Sequence, residues 1–275
     1  MIEAIINLPI AIFDGNHAKP ENCNLSIGSV TFYTSRAPGK KTANEDTLAI
    51  IPVSNDSAVL AVADGLGGLP AGEEASRIVI NELIKSVKKA INGEIHIRGA
   101  ILDGIEHANK KIIDLKNGSA TTLAVAELKN NTVRTYHAGD SLIMIMSSRG
   151  KIKYSAIPHS PTGYALESGM IDESEAMQHE EKHLISNCIG SQDLRVEIGP
   201  TVEMAVRDTL ILASDGLSDN LYDGEIVEAS RKGPLTKAAR KLIRESHEHM
   251  EYPRDDRMCH PDDMTFIMYR PVKFH

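Results

Sequence analysis

Apolar positions along this chain follow two periods in turn. Residues 26–34, 46–53 and 57–63 are rich in β-formers and read as strands. The last two are split by the turn residues Pro52, Ser54, Asn55 and Asp56. A glycine-rich stretch, 65–72, follows, and the period then lengthens. Ala75, Ile78, Val79, Leu83, Val87 and Ile91 recur at helical spacing. Ile97, Ile101, Ile105, Ala108, Ile112 and Leu115 predict a second amphipathic helix, ended by Asn117-Gly118. Strand patterning resumes over 120–128, 133–138, 142–147 and 151–156, with turns at Asn130-Asn131, Gly139-Asp140 and Arg149-Gly150. Residues 158–190 are irregular apart from a short helix at 173–177. Strands are predicted over 194–206 and 209–213, helices over 219–230 and 235–250, and a last strand over 264–270.

Strands, two helices, strands, two helices and a strand do not alternate strictly, which excludes a doubly wound parallel sheet. The order predicts an α+β domain of antiparallel sheets with paired helices packed outside. We expect one domain over 26–271, preceded by an N-terminal extension, 1–25. Residues 1–13 are apolar but interrupted by Glu3, Asn7 and Pro9. They carry no basic leader and fall short of the roughly 20 residues a membrane span takes, so they read as an edge strand or partner-facing segment. Three cysteines without a CxxC argue against a disulfide scaffold and fit a cytoplasmic protein. The formal charge of −8 removes the bulk attraction to nucleic acid or anionic membrane and leaves a surplus of acids to explain.

Those acids recur where strands begin and end. Glu45-Asp46 opens one strand, and Asp64 closes another before Gly65. Asp140 lies between two, Asp215 follows the apolar run 210–213, and Asp262-Asp263 precedes the last. Any one pair is explained by turn chemistry. Several acids at rigid strand ends can also converge on a hard cation, which takes oxygen ligands. A glycine after an aspartate lets the backbone approach that ion.

In this order the segments Asn44-Glu45-Asp46, Val62-Ala63-Asp64-Gly65-Leu66-Gly67-Gly68, Gly139-Asp140-Ser141, Ala213-Ser214-Asp215-Gly216-Leu217-Ser218-Asp219 and Asp262-Asp263-Met264-Thr265 resemble the PPM family. These are the metal-dependent protein serine/threonine phosphatases of type 2C, here of bacterial type. The resemblance implies a four-layer αββα sandwich of two antiparallel sheets with flanking helix pairs. It also implies two Mn²⁺ or Mg²⁺ ions and a weaker third. By position, Asp64 bridges both ions and the Gly65 carbonyl binds one. Asp215 and Asp262 bind the other, Glu45 and Asp46 act directly or through water, and Asp140 with Asp215 forms the third site. Asp263 stands where the family has Asn, either as a further ligand or behind one. Such a site hydrolyses phosphoserine and phosphothreonine with an activated water and no covalent intermediate. The implied partner is a phosphoprotein, opposing a serine/threonine kinase, for a monomeric enzyme. The rival reading is a non-catalytic PPM-like binding or sensor module. Such modules usually lose ligand acids, which this chain keeps.

The chain departs from the family at several positions. The phosphate-gripping Arg is replaced by Lys41, and Arg36 stands upstream across a small insertion, Pro38-Gly39-Lys40. Arg36 offers a bidentate fork, whereas Lys41 offers only a point charge. The histidine that can act as general acid is Leu66 here, which leaves water, His159 or His183 for that role. The Arg that usually follows Gly-Asp-Ser is Leu142. His247, His249, Cys259 and His260 could in principle hold zinc, but at no standard spacing.

Overall fold

A computed structural model describes residues 5–66, 71–252 and 260–272. Two six- and seven-stranded sheets, antiparallel throughout, lie face to face. The first has the order β1 (Ile10–Phe13), β4 (Asp46–Ser54), β5 (Ser57–Asp64), β6 (Leu123–Lys129), β7 (Thr132–Ala138) and β10 (Glu197–Ile198), with β11 (Val202–Glu203) also on β7. The second runs β2 (Glu21–Leu25), β3 (Gly28–Ser35), β13 (Met264–Pro271), β12 (Thr209–Ala213), β8 (Leu142–Met146) and β9 (Ile152–Ser155).

Alternation along each central strand sends one residue inward and the next outward. Inward go Leu48, Ile50, Leu60 and Val62 of the first sheet, meeting Val30, Phe32, Leu210, Leu212 and Ile267 of the second. Outward go Ala49, Ile51, Val59 and Ala61, under α1 (Gly72–Ile91) and α2 (Ile97–Leu115). On the far side Tyr33, Ile211, Phe266 and Met268 pack under α6 (Asp223–Ser230) and α7 (Leu235–Glu251). The central strands are therefore covered on both faces, and 58–63 reads as an unbroken apolar run. The result is the expected αββα sandwich, each helix pair presenting its apolar stripe to one sheet.

The structure differs from expectation in four places. β1 and β2 fall before residue 26, yet each is a full strand of one sheet, so residues 10–25 belong to the sandwich rather than to an extension. The pattern of β2 is hidden by Asn22 and Asn24, whose side chains accept hydrogen bonds from Thr31 and Ser29 on β3 at 2.7 and 3.0 Å. The long strand expected over 194–206 is broken at Gly199-Pro200 into β10 and β11. Residues 158–190 contain α3 (Pro161–Glu167), capped by Ser160 with proline in its first turn, before the expected α4 (Glu173–Gln178). The helix expected over 219–230 begins only at Asp223, as α6, and a further short helix, α5 (Asp215–Ser218), precedes it.

Candidate metal centre

Register gathers the acidic segments at one end of the sandwich. Asp46 and Asp64 are directly opposite on β4 and β5, where like charges repel. In the other sheet Ala213 pairs with Leu142 and Phe266, and Met264 with Ser35. Asp140, Asp215 and Asp262-Asp263 thus sit at neighbouring strand ends. A staple joins the two sheets here. The Ser214 hydroxyl donates to Asp46 Oδ2 at 2.7 Å and accepts the Thr265 N–H at 2.9 Å. Asn44 turns the chain into this position: its carbonyl oxygen takes the Asp46 N–H, and its amide donates to Gly15 O and Thr34 Oγ1.

Close approach is built in by glycine. A Cβ on Gly65 would strike the Gly72 backbone carbonyl, and one on Gly216 would strike the carbonyl oxygen of Asp263. Neither contact ends in a flexible side chain, so nothing nearby can give way.

The acids form one electrostatic group. Withdrawal from water raises the Asp64 and Asp215 carboxyls well above their ordinary range, and the neighbouring aspartates, Asp46, Asp140 and Asp262 among them, add to the effect. Burial, with Asp263 and Asp262 nearby, pushes Asp46 up to about 7. Burial, with Asp219 and Asp262 nearby, does the same to Asp140. Oδ1 of Asp140 is buried without a hydrogen-bond partner. A set of oxygen donors that resist carrying their own charge, one atom of it unpartnered, fits a hard divalent cation.

Not every expected residue joins this set. Asp263 is 2% exposed, and its carboxylate is engaged by three donors. These are the Ala37 N–H at 2.8 Å, the Glu45 N–H at 2.8 Å and Lys40 Nζ at 2.7 Å. That arrangement braces the loop rather than facing an ion. Glu45 joins the same brace, its Oε2 accepting from Lys40 at 2.7 Å. Arg36 is drawn aside by Asp14, at 2.7 Å. Lys41 is exposed and makes no hydrogen bond or ion pair among the described residues. Sequence reasoning passed over Lys40, which reads as part of a loop insertion. It also passed over Asp219, which pairs with Lys182 at 3.2 Å beside Asp140 and Asp215. Burial works against the Lys40 charge, but the hydrogen bonds to Asp263 and Glu45 outweigh it and hold the ammonium above its ordinary pKa.

The histidines are occupied elsewhere. His159 Nδ1 accepts N–H bonds from Gly139 at 3.2 Å and from Asn187 at 2.8 Å, while Nε2 faces Glu197 at 3.1 Å. Asn187 is oriented by its paired bonds to the Arg195 backbone. With Nδ1 an acceptor, Nε2 must carry the proton, so Nε2–H donates a hydrogen bond to Glu197 rather than coordinating an ion. His137, His159 and Glu197 lie close enough to hold a metal, yet His159 Nε2 is bonded to Glu197, while His137 stacks on the His159 ring with its Nε2 on Ile157 O. His183 is exposed. Of the zinc candidates, Cys259 lies outside the described residues, and buried His249 is bonded through Nδ1 to Asn220 O at 2.6 Å.

The sequence profile of the family described as Protein phosphatase 2C matches residues 36–258. Protein phosphatase PhpP of Streptococcus pneumoniae is 30% identical over 216 residues, 74% of this chain and 86% of PhpP. Serine/threonine phosphatase Stp1 from Staphylococcus aureus has the same fold, with a TM-score of 0.73 at 22% identity over 94% of this chain and 99% of that one. The catalytic domain of the phosphatase PstP, solved with two manganese ions, gives 0.69 at 23% identity over 90% and 99%. At such identities the structural likeness concerns the fold alone.

Proposed function

The chain belongs to the protein phosphatase 2C family and is a protein serine/threonine phosphatase; from that premise we propose that its acid cluster holds two divalent cations that drive hydrolysis without a covalent intermediate. Asp64, Asp215 and Asp262, with the Gly65 carbonyl, would hold the pair. Asp46 and Glu45 support it through water, and Asp140 with Asp215 offers the third, weaker place. Mn²⁺ or Mg²⁺ bound there would supply charge neutralisation of the phosphate ester and acidification of a water. The two-manganese structure of PstP, a protein of the same fold, supports this reading.

The chain's own residues orient the reaction. Asp46 is fixed by Ser214, and Asp64 stands across the register from it. Lys40 contacts Asp263 and Glu45 at the edge of these acids, and we assign it, rather than Arg36 or Lys41, to the substrate phosphate. It holds Asp263 and Glu45 in the free protein. An arriving phosphate gives that ammonium a stronger acceptor. Asp263 positions Lys40 and the loop. The His159 Nε2–H is hydrogen-bonded to Glu197, so the leaving hydroxyl is protonated from water. The substrate is a phosphoprotein, and a serine/threonine kinase would supply it.

The observation that carries this is the set of aspartates at one end of the sandwich, all resisting ionisation in the absence of a cation. Asp64→Asn and Asp215→Asn should abolish Mn²⁺-dependent hydrolysis of p-nitrophenyl phosphate and of a phosphothreonine peptide. Turnover surviving in both variants would sink the reading.

A further inference from the structure

Beside the acid cluster a cavity of about 240 Å³ opens between the α3–α4 segment and the start of α6. It shares Asp140 and Asp215 with that cluster, so whatever fills it lies next to the reacting phosphate. Its volume is below the roughly 300 Å³ at which small-molecule sites begin, a size suited to one long side chain. Most of the wall is apolar, with Leu166, Met177 and Leu221 among its residues.

The charged part of the wall is almost all of one sign. Glu167, Glu173 and Asp223 line it away from the metal ligands, and no cation pairs with any of them among the described residues. The cavity's one lysine, Lys182, is committed to Asp219. Glu173 already accepts the Asp223 N–H at 2.7 Å, which sets the two carboxylates side by side. Burial and the nearby Glu173 push the Asp223 carboxyl up to about 6. An apolar shaft ending at unneutralised carboxylates matches a long aliphatic stem with a cationic head.

We propose that this cavity is a specificity pocket for an arginine or lysine side chain flanking the phosphorylated residue of the substrate. The proposal rests on the phosphatase reading above and adds to it the class of phosphoprotein preferred. The stem packs on Leu166, Met177 and Leu221, and the head reaches Glu173 and Asp223.

The test is a set of phosphothreonine peptides carrying arginine, norleucine or glutamate in turn at each position flanking the phosphothreonine. Each is assayed with Mn²⁺ beside p-nitrophenyl phosphate, which carries no cationic head for the pocket's carboxylates. Arginine at one position should raise kcat/KM about tenfold over norleucine, the scale of a charge-assisted contact. Glu173→Gln with Asp223→Asn should erase that preference and leave p-nitrophenyl phosphate turnover unchanged. Glu173→Lys, an exposed substitution, should turn the preference toward glutamate. A flat scan on enzyme that hydrolyses p-nitrophenyl phosphate overturns the pocket alone, as does a preference that survives in the double variant. Loss of p-nitrophenyl phosphate turnover in the variants would make these acids part of the catalytic machinery and overturn their assignment to specificity. Wild-type protein inactive on p-nitrophenyl phosphate overturns the phosphatase reading, and the pocket with it.

Discussion

Lys40 touches two carboxylates at once and lies in a loop that reads, as sequence, like an insertion. Its assignment to phosphate is separable from those of Arg36 and Lys41 by kinetics. Lys40→Ala should raise KM for a phosphopeptide about tenfold, the worth of one charge-assisted hydrogen bond. Arg36→Ala should leave KM within about twofold and cost under about 1 kcal/mol of stability, as a partly exposed ion pair with Asp14. A large KM effect in Arg36→Ala with none in Lys40→Ala would reverse the assignment. Gly65→Ala should cost about 1–3 kcal/mol, read by denaturant unfolding, because its Cβ meets backbone. At this scale the acids were legible because several acidic segments recur at strand ends in one order, although any one of them alone is ordinary turn chemistry. The difference between Asp262 and Asp263 was not legible. It depends on which carboxylate finds the Ala37 and Glu45 amides, contacts more than 200 residues apart in the chain.

Among the elements, the turn carrying Asp140 depends on a neighbour far along the chain. The His159 N–H donates to Gly139 O at 3.0 Å, and its Nδ1 accepts the Gly139 N–H. His159→Ala therefore leaves a buried amide unpaired, at a cost of about 1–3 kcal/mol. It should also loosen Asp140, so that more Mn²⁺ is needed for half-maximal activity. An unchanged metal titration would confine His159 to a structural role. Strands and long helices were legible wherever one period ran over several residues, as in 75–91 and 264–270. What escaped was β2 and α3. The first alternates with asparagines that bond to β3, and the second is a seven-residue helix whose signal is one serine cap and one proline.

The whole molecule carries its acid surplus unevenly, and that fixes how its stability responds to pH. Asp46 and Asp140 are shifted up to about 7 when folded, and Asp64 and Asp215 are also raised. In an unfolded chain each would titrate near 3.9. Between about pH 4 and 7 the folded protein therefore retains protons that the unfolded chain has lost. Metal-free stability falls as pH rises across that window. Melting curves in chelator should show this decline from pH 5 to 7, and Mn²⁺ should restore the lost stability at pH 7 by binding only the folded form. A melting temperature indifferent to both pH and Mn²⁺ would contradict the acid cluster as a cation site. Among the described residues no helix is long and apolar enough to cross a membrane.

The order of strands has a further consequence, for aggregation. Each sheet ends on strands that make poor templates for another chain. β1 and β9 have four residues each, β10 and β11 two each, and β2 carries Glu21 and two asparagines. β9 is also offset by a bulge against β8. Short, polar or bulged borders deny an incoming strand a continuous ladder of free N–H and C=O groups. Sedimentation across a range of concentrations should accordingly show one species of about 30.0 kDa. A concentration-dependent dimer would mean that some other surface joins two copies.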